Sequence, residues 1–116
     1  MAFVAKLRNG IFRNTGACLS PVNAYLNLIG IETLGLRMER ECQNALELAH
    51  WIAENYSDII VNYPGLESGS WHHVAKEQFE HGYGAIFTLR VGSKEKAFKF
   101  IDSLTIPYII SNIGDT

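Results

Sequence analysis

The chain has 116 residues, of which 47% are hydrophobic and 19% charged, and its formal net charge is −2. This size fits about one small domain, and the composition excludes an intrinsically disordered chain, collagen and a long coiled coil. The lack of a basic excess argues against nucleic-acid binding, and the apolar runs are too short to predict a membrane span.

The first predicted element is a helix over residues 2–13. Phe3, Val4, Leu7 and Ile11 fall on one helical face, and Gly16 suits the position just after a helix end. The segment is also basic, since the chain has no acidic residue before position 32. A mitochondrial transit peptide has this character, but an ordinary surface helix explains it as well and is the favoured interpretation.

A second helix is predicted to begin at Ser20-Pro21, because Ser is a good N-cap and Pro fits the first helical turn. Its residues 22–31 are apolar on nearly every side, which is typical of a helix packed between larger bodies. The apolar side chains are Val22, Tyr25, Leu26, Leu28, Ile29 and Ile31. Gly30 and Gly35 predict a kink or break at Thr33-Leu34.

The longest predicted helix covers residues 36–55, where the apolar residues recur with helical spacing. They are Met38, Cys42, Ala45, Leu46, Ala49 and Ile52. Cys18 and Cys42 form neither a CxxC motif nor a disulfide framework, so both are predicted to be reduced core thiols of a cytoplasmic protein.

The remaining sequence alternates between strand and helix patterns. Strands are predicted at 58–63, 85–91 and 106–110, the first closed by a Pro64-Gly65 turn. Two helices lie between them, one capped by Ser70 and ending near Phe79, the other capped by Gly92-Ser93. The predicted fold is therefore α/β (α+β), with three helices followed by β-α-β-α-β.

Candidate catalytic groups do not converge in the sequence. His72 and His73 are adjacent and would point about 100° apart on a helix, so they are interpreted as solvated or partner-facing rather than as ligands of a metal. No lysine has the apolar surroundings expected of a cofactor lysine. The five lysines are Lys6, Lys76, Lys94, Lys96 and Lys99. No catalytic residue and no metal site is predicted within the chain.

Several motifs resemble the Cys/Met-metabolism family of pyridoxal-phosphate (PLP) enzymes. They are Leu19-Ser20-Pro21, Glu32-Thr33-Leu34, Leu36-Arg37-Met38-Glu39-Arg40, Asn44-Ala45, Asn62-Tyr63-Pro64-Gly65-Leu66-Glu67-Ser68 and Gly82-Tyr83-Gly84. Within the family, the stretches around Ala17-Cys18, Ile101-Asp102 and Gly114-Asp115 resemble O-acetylhomoserine sulfhydrylases of methionine biosynthesis. Glu41 departs from the family pattern, which usually has His there.

The resemblance implies a fragment of a longer PLP-dependent transferase with the aspartate aminotransferase-like fold. Residues 1–56 would link the PLP domain to the C-terminal domain, and 57–116 would form the first part of that second domain. The cofactor lysine, the phosphate-binding residues and the carboxylate-binding arginine would all lie outside the chain. The chain alone is therefore expected to bind no PLP and to be inactive.

For the site, the resemblance implies that Asn112 and Ile113 help to hold the α-carboxylate of an amino-acid substrate in the parent enzyme. The parent is expected to be a homo-oligomer, a dimer or tetramer, and the fragment to pair with another copy, with helix exchange as one route. Three alternatives stay open: a cystathionine γ-synthase or γ-lyase, a stand-alone α/β interaction module, and an enzyme complete in 116 residues, which is the least favoured.

Overall fold

The computed structural model describes residues 2–111. The N-terminal segment is helical throughout, with α1 at Ala2–Leu7, a π-helical stretch at Arg8–Phe12 and α2 at Arg13–Thr15. Gly16 ends it in the left-handed conformation, at φ +60°, and its N–H donates to the Phe12 carbonyl at 3.1 Å. The predicted helix over 2–13 is thus confirmed.

The next two helices also agree with the predictions from the sequence. Helix α3 covers Pro21–Glu32, and the Ser20 hydroxyl at its N-cap accepts the Asn23 N–H at 3.2 Å. Thr33 interrupts the helix where Gly30 and Gly35 predicted a break, and α4 follows at Leu34–Asn55. No helix in residues 2–111 is long and apolar enough to cross a lipid bilayer.

The chain divides into two compact units, residues 1–33 and 34–116. None of the described side chains in the first unit is buried. The second unit has a core in which α4 packs on the turn after β1, formed by Ala45, Ala49, Tyr63 and Leu66. The domain boundary at residue 56, which the family resemblance suggests, stays a prediction.

The two cysteines differ in burial. Cys42 is only 8% exposed, as predicted for a core thiol, whereas Cys18 is exposed, so the same prediction was wrong for Cys18. The reason is local: Cys18 lies in the irregular segment between α2 and α3, and none of residues 2–33 has a buried side chain.

The sheet consists of two short antiparallel strands, β1 at Ile60–Asn62 and β2 at Thr88–Arg90, with Val61 opposite Leu89. Both lie inside the predicted strands, and the side chains of 85–91 alternate between half-buried and exposed as expected. The strand predicted at 106–110 is not formed, and Ile106 is 84% exposed. Among the described residues no strand pairs with it, and an extended segment without a paired neighbour forms no ladder. The complete β-α-β-α-β order is therefore not observed.

Helices α5 and α6 cover His72–Gln78 and Lys94–Asp102. Ser93 caps α6 as predicted, since its hydroxyl accepts the Lys96 N–H at 3.3 Å. The predicted Ser70 cap was wrong, because α5 begins after Trp71 and has no side-chain cap. Ser70 lies one residue before the N-cap, too early in the turn to accept a first-turn amide.

The two serines predict different mutational effects. Ser93→Ala should lower the free energy of unfolding by about 1 kcal/mol, because it leaves a first-turn amide of α6 without its acceptor. Ser70→Ala is the matched control and should change it by less than about 0.5 kcal/mol. Urea unfolding followed by circular dichroism measures both variants, and equal losses would contradict the assigned caps.

Candidate functional site

The two residues predicted to contact substrate, Asn112 and Ile113, lie outside the described residues. No group of three or more His, Cys, Asp or Glu side chains in residues 2–111 is arranged to hold a metal ion. All five lysines are exposed. A lysine that holds PLP needs a dry pocket that favours its neutral form, so the residues described here do not fit that cofactor.

Of the four histidines, His50, His73 and His81 are exposed and His72 is half-buried. His81 forms a solvent-exposed pair with Glu80 at 3.9 Å. His72 was predicted to be solvated or partner-facing; it is half-buried, so it is not fully solvated. Its Nδ1 lies 2.9 Å from the Pro64 carbonyl oxygen, and its ring is tilted against the Tyr83 ring at 5.5 Å between centroids.

His72 therefore stabilises the Pro64-Gly65 turn. A ring nitrogen facing a carbonyl oxygen carries the proton, so Nδ1 donates this hydrogen bond. The bond connects the first turn of α5 to the Pro64-Gly65 turn after β1, and the contact with Tyr83 adds the segment before β2. Through these contacts His72 holds the backbone of the turn in place. Nothing among the described residues supports a catalytic role for the imidazole.

Tyr63 is the centre of the second unit. Its side chain is 1% exposed, and its hydroxyl donates to the Gly84 carbonyl at 2.8 Å. Its ring meets Phe87 edge to face, with 6.3 Å between centroids and 79° between planes. Tyr63 thereby joins the end of β1 to the glycine-containing segment that leads into β2.

Burial also affects the acidity of Tyr63. Desolvation raises the pKa of its phenol above the ordinary value, and the nearby ionisable groups of Cys42 and Tyr83 raise it further. The folded state therefore favours the neutral phenol. The corresponding stability is fully present below the pKa of an unfolded tyrosine and is lost as the pH rises through the folded value.

The raised pKa of Tyr63 predicts that the free energy of unfolding falls at alkaline pH. Stability measured by urea unfolding should fall between neutral pH and about pH 11 more steeply in the wild type than in Tyr63→Phe, which has no phenol to ionise there. Tyr108→Phe is the control, because Tyr108 is 86% exposed and should leave the slope unchanged. A Tyr63→Phe slope equal to that of the wild type would contradict the assignment.

A cleft lies within the second unit, between the first half of α4 and residues 79–83. Its lining includes Met38, Glu39, Cys42, Leu46 and Tyr83. A Cβ added at Gly82 would lie 2.9 Å from the Cys42 Cβ, so the backbone passes close over the cysteine. Cys42 is buried on the apolar face of α4, where a thiol serves as a packing group, and we assign it no chemistry.

Sequence reasoning did not identify Tyr63 and His72 as positioning residues. The Pro64-Gly65 turn next to Tyr63 was recognised in the sequence. The contacts of Tyr63 and His72 were not, because they join positions up to 21 residues apart. One clue was available in the sequence: an aromatic residue directly before a Pro-Gly turn must either be solvated or fold back under that turn.

Sequence similarity to known proteins extends over nearly the whole chain. Residues 3–116 match the model of the family described as Cys/Met metabolism PLP-dependent enzyme. The O-acetyl-L-homoserine sulfhydrylase 1 of Thermus thermophilus is 40% identical over 117 residues, covering 100% of this chain and 28% of that protein. The O-acetyl-L-homoserine sulfhydrylase of Leptospira meyeri is 43% identical, covering 99% and 26%.

Solved structures of sulfhydrylases are also similar to this chain along nearly its full length. The O-acetylhomoserine sulfhydrylase of Wolinella succinogenes superposes with a TM-score of 0.81 at 44% identity, covering 99% of this chain and 33% of that one. A Campylobacter jejuni structure containing N'-pyridoxyl-lysine-5'-monophosphate has a TM-score of 0.81 at 32% identity, covering 98% and 28%. The chain thus spans between 26% and 33% of the length of these proteins.

Proposed function

The chain belongs to the Cys/Met metabolism family of PLP-dependent enzymes, and on this premise we propose that it is part of an O-acetylhomoserine sulfhydrylase. Such an enzyme replaces the acetate of O-acetylhomoserine with sulfide and yields homocysteine. The observation that carries the proposal is the match along the full chain, at 40% and 43% identity, to proteins named for this activity. A cytoplasmic location and a homo-oligomeric parent are part of the same proposal.

The proposed contribution of this chain is structural, together with one substrate contact. Residues 1–56 link the two domains of the parent, and 57–116 form the first part of the second domain. The backbone at Asn112 and Ile113 helps to hold the substrate α-carboxylate. The exposed lysines support the further proposal that PLP is held by residues elsewhere in the parent.

A chimera tests this function. In it, the matching third of the Wolinella succinogenes enzyme is replaced by this chain, and turnover is measured with sulfide and either O-acetylhomoserine or O-succinylhomoserine. Higher kcat/KM with the acetyl substrate is expected. Turnover only with cysteine in place of sulfide would favour a γ-synthase, and turnover only with cystathionine would favour a γ-lyase. A folded, PLP-loaded chimera without any of these activities would refute the proposal.

Asn112 gives a sharper test in the same chimera. Asn112→Ser should keep kcat/KM within about threefold, because the proposed contact is made by the backbone. Asn112→Asp places a carboxylate beside the substrate carboxylate, so KM for O-acetylhomoserine should rise by about 10-fold or more. Unchanged KM in Asn112→Asp would show that this position lies away from the substrate.

The chain by itself should bind no PLP. Titration of the purified 116-residue chain with PLP, followed by visible absorbance and by dialysis, should leave no stoichiometric bound cofactor. The chimera is the positive control and should retain it. Tight binding of one PLP by the isolated chain would contradict the assignment of the cofactor residues to the rest of the parent.

A second candidate function is a stand-alone interaction module. The observation in its favour is the exposed apolar surface of α3, where Val22 is 67% exposed and Leu28 is 61% exposed. An open reading frame that encodes only these residues would favour the module, and a frame extending in both directions would favour the enzyme.

A further inference from the structure

Residues 80–87 lie between α5 and β2 and are held in place by few backbone contacts. They form neither helix nor strand. Among the described residues, none of them takes part in a backbone–backbone hydrogen bond outside the helices and strands. None of their side chains is fully buried. A segment with these properties opens at a lower cost in free energy than the helices and strands around it.

Side chains from outside the segment fix its position. The Tyr63 hydroxyl donates a hydrogen bond to the Gly84 carbonyl at 2.8 Å, and the Tyr63 ring meets Phe87 edge to face. The His72 ring lies against the Tyr83 ring, with 5.5 Å between centroids. Because Tyr63 is 1% exposed and belongs to the core, its hydroxyl connects the backbone of segment 80–87 to a part of the molecule that does not move.

Segment 80–87 in turn covers Cys42 of α4. A Cβ added at Gly82 would lie 2.9 Å from the Cys42 Cβ and 3.1 Å from its Sγ, so the Gly82 backbone lies directly over the thiol. Cys42 is 8% exposed and lines the cleft along α4. None of the fully buried residues of the core cluster belongs to the segment, so the segment can move while that cluster stays packed.

We propose that segment 80–87 opens away from α4 while the rest of the second unit stays folded, and that the hydrogen bond from Tyr63 to Gly84 keeps it closed. Opening widens the cleft along α4 and exposes Cys42 to the solvent. All the residues involved belong to the second unit. The proposal does not depend on the proposed enzymatic function, so the opening and the activity of the chimera are tested separately.

The rate at which Cys42 reacts with iodoacetamide, followed by mass spectrometry at constant pH, measures the opening. The experiment uses the full 116-residue chain with Cys18→Ser, which leaves Cys42 as the only thiol. Opening of a short segment exposes little surface, so the rate should be nearly independent of urea at low urea concentration. It should rise steeply only where urea unfolds the whole unit.

This urea profile tests the proposal without any change at Tyr63. A rate that rises from zero urea with the full slope of global unfolding would overturn the proposal, because Cys42 would then react only in the unfolded chain. An absence of reaction below the unfolding transition would overturn it as well.

Two substitutions in the same background test the role of Tyr63. Tyr63→Phe removes one hydrogen bond of the closed state and keeps the ring, so the urea-independent rate should rise about fivefold. Ser93→Ala is the matched control, because it removes the N-cap of α6 and leaves the contact between Tyr63 and Gly84 intact. It should change the urea-independent rate by less than about twofold. Circular dichroism establishes that each variant is folded, and equal rates in the two variants would overturn the role of Tyr63.

Discussion

Tyr63→Ala is expected to lower the free energy of unfolding of the second unit by about 3–5 kcal/mol, because it removes a large, well-packed aromatic ring and leaves a cavity. The ring is 1% exposed, between Ala45 and Ala49 of α4 and the edge of Phe87. A domain of this size is stabilised by only about 5–15 kcal/mol, so the variant should be largely unfolded at 37 °C. Urea unfolding followed by circular dichroism measures the loss.

Two further variants separate the contribution of the buried ring from that of the hydroxyl group. Tyr63→Phe keeps the ring and removes only the hydrogen bond to the Gly84 carbonyl, so a loss of about 1 kcal/mol is expected. Tyr108→Ala removes an equally large ring that is 86% exposed and should change stability by less than about 0.5 kcal/mol. If Tyr108→Ala were as damaging as Tyr63→Ala, the assigned core would be wrong.

Gly82→Ala is expected to cost about 2–5 kcal/mol, for two independent reasons. Its backbone has φ +94°, a conformation that costs a non-glycine residue about 1–3 kcal/mol. The new Cβ would also lie 2.9 Å from the Cys42 Cβ, and overpacking a close contact costs a similar amount. The cleft along α4 should widen as the segment moves away from Cys42.

Gly84→Ala provides the matched control for this prediction. Gly84 has a similar φ, +86°, but a Cβ there meets nothing within 4 Å, so only the backbone strain remains. Gly82→Ala should therefore be the more damaging by at least about 1 kcal/mol. Equal losses in the two variants would show that the contact with Cys42 adds nothing, and that conformation alone requires glycine at position 82.

The helices were predictable because local signals determine them. Ser20-Pro21, the apolar spacing of α4, and Ser93 each gave the correct element, and Gly30 with Gly35 marked the break at Thr33. The strands were predicted too long, since the length of a strand depends on its neighbour rather than on its own residues. Segment 106–110 has a strand pattern but no paired neighbour among the described residues.

The site could be predicted from the sequence only in part. The family resemblance and the expectation of a fragment of a longer enzyme agree with the comparisons. The contacts of Tyr63 and His72 could not be predicted, because each joins segments that approach one another only in the folded chain. The substrate role of Asn112 and Ile113 stays a prediction.

The absence of buried side chains in the described part of residues 2–33 has a consequence for amide hydrogen exchange. Helical amides exchange slowly only when opening the helix costs free energy, and packing supplies most of that cost. Amides of α1 to α3 should therefore exchange quickly in the 116-residue chain. Amides of the core around Tyr63 should exchange only when the second unit unfolds, so one exchange experiment measures the stability of the two units separately.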